Sequence, residues 1–129
     1  MTIVVGYTPT PAGRAALSTA TTEARKSERP LVVANTSRSD ALDDPAFAQP
    51  ADLDWVRATL EEAGVTLTIR QEVRGREAAD ELIDVLEEVG AELCVIGIRR
   101  SAVGKMLLGS NAYRILMDSP CPVLTVRAA

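Results

Sequence analysis

Apolar positions along the chain fall into two alternating rhythms, a short continuous run and then a stripe that recurs every three or four residues. Residues 2–7, TIVVGY, form the first run and are rich in β-branched side chains, as a strand would be. Thr10-Pro11 then offers an N-cap followed by proline at the first helical position. Within residues 11–26, Ala16, Leu17, Ala20 and Ala24 share one face, a stripe of mostly small side chains that needs a sheet beneath it. LVVANTS, residues 31–37, is a second run. SRSDALDDPAFAQP after it is polar, contains proline and has no period, so it reads as a long connection.

From about Pro50 the stripe returns at Leu53, Val56, Leu60 and Ala63 and stops at Gly64, a suitable C-terminal residue for a helix. Residues 65–73, VTLTIRQEV, alternate Val65, Leu67 and Ile69 with polar neighbours, the pattern of a half-exposed strand near a sheet edge. A third helix is expected from about Gly75 to Val89, with Ala79, Leu82, Ile83 and Leu86 as its apolar face and Gly90 as its stop. ELCVIGI is a buried strand, Ser110 starts and caps a short helix carrying Ile115 and Leu116, and PVLTVR, residues 122–127, is the last strand. The order βαβαβαβαβ predicts a three-layer α/β/α domain, residues 1–129, with five mainly parallel strands in an open sheet and four helices on its two faces.

Composition narrows the chemistry. A chain of 129 residues with 47% hydrophobic content supports one core. A formal charge of -4 with only 3% aromatic residues disfavours nucleic acid, which wants a basic face and stacking platforms. No apolar run approaches the ~18 residues of a membrane span, and the sequence enters MTIVVGY without a charged leader, so a cytoplasmic protein is expected. The absence of histidine excludes imidazole bases and His-containing zinc sites. Cys94 and Cys121, in apolar surroundings, read as reduced, unreactive thiols, and Glu61, Glu62, Glu87 and Glu88 as solvated helix faces. Arg74 and Arg76 read as surface charges near a helix start, and Trp55, off its helix's main stripe, as a packing or interface residue.

In open parallel sheets a ligand sits beyond the carboxyl ends of the strands, where strand order reverses. The loops that matter are then YTPTPAG after the first strand and GIRRSAVGK after the fourth. A Mg²⁺ site of the receiver-domain type would need acids after the first strand, and Tyr7, Thr8, Pro9 and Thr10 supply none. The threonines could hold a phosphate as in a flavodoxin-like site, yet few aromatics are available to flank a flavin, and Thr10 and Pro11 read first as the start of a helix. A Walker loop is absent, because Gly104-Lys105 is followed by Met106 where Ser or Thr would be needed.

IVVGYTPTPAGRAAL at the start, CVIGIRR before the loop, and LLGSNAYRIL and CPVLTVR at the end together resemble the universal stress protein family over essentially the whole chain. The resemblance implies strand order 3-2-1-4-5, with the switch point between the first and fourth strands. It also implies a homodimer in which residues 122–127 pair antiparallel across a two-fold axis, covering an otherwise open apolar edge. Nucleotide-binding members carry G-x2-G-x9-G-[ST] after the fourth strand. Here Gly97, Gly109 and Ser110 match its ends, Arg100 stands at the second glycine, and the span is one residue short, so that Gly104 has no counterpart. Binding members usually place an aspartate after the first strand, facing adenosine, where this chain has Thr8.

Arg99, Arg100 and Lys105 nevertheless put three cations in one loop, and guanidinium groups hold phosphate in bidentate fashion. The candidate ligand-binding residues are therefore Thr8, Gly97, Arg99, Arg100, Gly104, Lys105, Gly109 and Ser110, with no catalytic residue and no metal ligand among them. The expected protein is a small dimeric binding or regulatory module in the stress response, with unidentified protein partners and with ATP bound weakly or not at all. An adenine-nucleotide switch holding ATP or AMP, with or without slow hydrolysis, is the alternative.

Overall fold

The computed structural model of the chain describes residues 1–37, 46–73, 75–99 and 109–128. Five strands, β1 (Thr2–Gly6), β2 (Leu31–Thr36), β3 (Leu67–Glu72), β4 (Ala91–Ile98) and β5 (Val123–Arg127), make one sheet in the order β3-β2-β1-β4-β5. All four pairings are parallel. Four helices connect them among the described residues: α1 (Pro11–Ser27), α2 (Pro50–Glu62), α3 (Ala78–Val89) and α4 (Ser110–Asp118).

Side chains alternate between the two faces of each strand, and the core divides accordingly. Ile3, Val5 and Tyr7 of the first strand segment point with Val33 and Val95 to one side, where they meet Leu17 and Ala20 of α1 and Val56 and Leu60 of α2. Val4, Val32 and Cys94 point to the other, against Leu82, Val85 and Leu86 of α3 and Ile115 of α4. With β2 and β4 on either side, β1 is covered above and below, which explains its unbroken apolar character.

Local departures from the sequence reading have identifiable causes. The third strand begins at Leu67, not Val65, because Val65 donates its N–H to Leu60 O at 3.0 Å and so still belongs to the turn that ends α2. The third helix begins at Ala78, since Gly75 takes φ +73 and cannot lie in a right-handed turn. Its buried face is Ala79, Leu82, Val85 and Leu86 together with Glu81, while Ile83 is only half-buried. The last strand starts at Val123. Cys94 is fully buried, and burial followed by the neighbouring Cys121 pushes its thiol up to about 12, as an unreactive core cysteine requires.

The capping pattern brings a correction. Thr10 does cap α1, its Oγ1 accepting from Gly13 N at 3.1 Å. Ser110 does not cap α4: it is the first helical residue, Gly109 is the N-cap, and no side chain accepts there. One residue further on, Asn111 Oδ1 instead accepts from Ala79 N at 3.1 Å, so α4 caps the first turn of its neighbour α3, which has no cap from its own Glu77. Asn111→Ala should therefore cost about 1 kcal/mol, the usual value of a lost N-cap. Ser110→Ala should stay within about 0.5 kcal/mol, as exposed substitutions do. Urea unfolding of the two variants checks the assignment, and the reverse order of costs would return the cap to Ser110.

Candidate functional site

Strand order reverses at β1, which has β2 on one side and β4 on the other, and a cleft of about 210 Å³ opens there beyond the strand ends. Its described walls include Thr8 after β1, Thr36 at the end of β2, Gly97 of β4, Ala78 of α3 and Asn111 of α4. None of the described lining side chains is charged. Among the described residues no group of three or more carboxylates and thiols could hold a metal ion.

Thr8 is half-buried and its hydroxyl lies 2.9 Å from that of Thr10, which also holds the first turn of α1. The two threonines thus form a small polar ledge fastened to the helix, and no carboxylate in the described lining stands ready to grip the hydroxyls of a sugar. Burial, reinforced by Asp52 and opposed by Arg14, raises the phenol of Tyr7 above its ordinary value, so this residue stays neutral at physiological pH. Thr36 Oγ1 donates to Ala78 O at 3.2 Å, and Arg114 bridges to Asp80 at 2.7 Å, which fixes α3 and α4 as one wall.

Two glycines of the candidate motif answer to different causes. A Cβ at Gly97 would overlap the Ala12 carbonyl, so the start of α1 packs directly on the backbone of β4 and glycine there is a requirement of the fold. Gly109 has an ordinary φ of -68, and a Cβ built on it would meet nothing within 4 Å among the described residues. It precedes the first-turn N–H groups of α4, which by helix geometry lack intrahelical acceptors.

Thr8, Gly97 and the start of α4 are therefore brought together around one cleft. Gly109 and Ser110 are exposed at its α4 side, and Arg99 is exposed just past β4. Arg100, Gly104 and Lys105 lie outside the described residues. Asn35, Thr36 and Asn111 were not singled out from the sequence. Asn35 carried a signal all the same, since a polar residue inside the apolar run LVVANT must find partners when buried.

An open parallel sheet with helices on both faces and a cleft at its switch point defines a doubly wound α/β domain. The sequence profile of the Universal stress protein family matches residues 1–127, and the chain belongs to that family. It is 45% identical over 126 residues to a universal stress protein of Mycolicibacterium smegmatis, covering 97% of this chain and 96% of the relative. Among solved structures it resembles a universal stress protein from Archaeoglobus fulgidus at 27% identity and a TM-score of 0.79, over 98% of this chain and 93% of that one. It also resembles a universal stress protein solved in complex with cAMP, at 25% identity and a TM-score of 0.74, over 100% and 98% of the two chains.

The contrast between the two glycines is testable in the ligand-free protein. Gly97→Ala should cost roughly 1–3 kcal/mol, the usual range for forcing atoms into a packed contact. Gly109→Ala should cost no more than about 1 kcal/mol, the difference between two residues at an N-cap. Equal losses in urea unfolding would show that Gly109 is held by packing as Gly97 is.

Proposed function

We propose that the protein is a dimeric cytoplasmic binding module of the stress response that acts by holding a ligand or partner, carries out no chemistry of its own, and binds ATP weakly or not at all. The observation that carries this reading is the uncharged described lining of the switch-point cleft, with Thr8 tied to Thr10 where binding relatives place an acid. A triphosphate brings several negative charges, and the described cation nearest the cleft in sequence, Arg99, is exposed, where water screens its attraction. Isothermal titration of ATP with Mg²⁺ at low salt is expected to give a dissociation constant well above ~1 μM. A value near or below that, equivalent to about -8 kcal/mol, would overturn the reading.

The second reading, an adenine-nucleotide switch, draws on Gly109 and on the cAMP-bound relative. An open glycine before uncapped helical N–H groups leaves room for an anion to approach the backbone. AMP and cAMP belong in the same titration, because one phosphate demands less charge compensation than three. Micromolar affinity for either, with ATP much weaker, would favour a monophosphate ligand.

The dimer belongs to the same proposal. β5 is an edge strand with no helix after it in the described chain, and Leu124 on it is 38% exposed. Pairing of two such edges removes unpaired backbone groups and apolar surface together. Sedimentation at micromolar concentration is expected to show two chains, with Leu124→Lys shifting the species toward one; a wild-type monomer there would refute the dimer.

A further inference from the structure

On the side of the sheet away from α3 and α4, a groove of about 460 Å³ runs between α1 and α2. Along α1 its wall is Arg14, Ser18, Thr21 and Arg25, a single stripe at helical spacing, and α2 contributes Trp55 and Thr59. Thr21 is almost fully buried and its hydroxyl donates to Leu17 O at 2.7 Å; Thr59 likewise donates to Trp55 O at 2.7 Å. The hydroxyls are thereby turned back onto their own helices, which reduces the polarity of the groove. Trp55, the one tryptophan in the chain, is 46% exposed.

The only charged groups in the described lining are the two guanidiniums, in a protein whose net charge is -4. Neither Arg14 nor Arg25 makes an ion pair among the described residues, whereas Arg29, Arg70, Arg76 and Arg114 all do. Eleven residues at 1.5 Å rise separate them by roughly 16 Å along the helix and return them to nearly the same face after about three turns. That span is too long for one small anion to bridge. It matches two carboxylates about three turns apart on a helix lying along α1, and a trough between two helices accepts the side-chain ridge of a third.

We propose that this groove is a docking site for an acidic amphipathic helix of a protein partner, its carboxylates meeting Arg14 and Arg25 and its apolar stripe covering Trp55. Tryptophan and arginine are the side chains that most often dominate protein interfaces, and the pairing of an apolar anchor with flanking charge selects an acidic helix over a basic one. The site is separate from the switch-point cleft and does not depend on the reading given for it.

Trp55 also supplies the probe, because its emission shifts to the blue when the indole leaves water. The test uses a synthetic amphipathic peptide of about 15 residues with leucines along one stripe and glutamates about three turns apart, beside a twin carrying lysines in place of the glutamates. The acidic peptide should give a saturable blue shift and the lysine twin none. Arg14→Gln and Arg25→Gln should each weaken binding by about tenfold, and labelled peptide read by anisotropy should lose affinity for Trp55→Ala. Both arginines and Trp55 are exposed, and an unchanged thermal midpoint would show that the variants stay folded. No shift with the acidic peptide, an equal shift with the lysine twin, or indifference to both arginine substitutions would overturn the proposal. So would a shift produced only by anionic phospholipid vesicles, which would assign the groove to a membrane surface.

Discussion

The carboxyl ends of three strands are held in register by one buried amide. Asn35, with no exposed surface, donates through Nδ2 to Tyr7 O at 2.9 Å and to Ala46 O at 2.7 Å. Its Oδ1 accepts from Ala48 N at 3.0 Å and from Gln71 Nε2 at 2.9 Å, and Gln71 Nε2 also reaches Ala48 O at 2.8 Å. An asparagine side chain has two donors and two acceptor lone pairs, and all four are used. A buried polar network is stabilising when complete and costly when one member is missing, so this one leaves little freedom in where the ends of β1, β2 and β3 and the approach to α2 sit relative to each other. The position of Thr8 at the cleft, next after Tyr7, follows from that anchor.

The opposite wall is set by close approach instead of hydrogen bonding. A Cβ at Gly13 would overlap the Thr8 carbonyl as one at Gly97 would overlap that of Ala12, so the first turn of α1 is wedged between the loop after β1 and the backbone of β4. Gly97 is therefore explained without any ligand. Gly109 has no such explanation among the described residues, and there open space coincides with helical N–H groups that seek an acceptor.

The strand and helix order and the two-faced core were legible because they rest on periodicity, which a sequence displays directly. Strand order came through the family resemblance, since spacing alone does not say on which side of β1 the later strands add. Boundaries moved where a turn competed with an element, as at Val65 and Gly75. The buried face of α3 was misjudged at Ile83 and Val85 because both are apolar, and it is Val85 that joins Leu82 and Leu86 in the cluster against the sheet and α4. Ser110 illustrates a general weakness of cap signals: serine is favoured at an N-cap, but a one-residue offset makes it the first helical residue and leaves Asn111 to cap a different helix. The uncharged described lining of the cleft could not be read at all, as it depends on which side chains of six separate segments converge.

Most of the paired arginines here fasten separate segments together, Arg29 in the turn after α1 to Glu92 of β4, Arg70 to Glu88 and Arg114 to Asp80. Exposed pairs of this kind add little stability each, so their main effect is to neutralise the surface locally. What remains is an uneven field, in which the groove beside α1 carries two guanidiniums with no ion pair among the described residues while the described cleft lining carries no charge. The same first turn of α1 borders both, through Ala12 against Gly97 on one side and Arg14 on the other. A helix held that tightly by Thr10, Gly13 and Gly97 cannot shift at one border without moving the other, so any change in that turn bears on the cleft and the groove together.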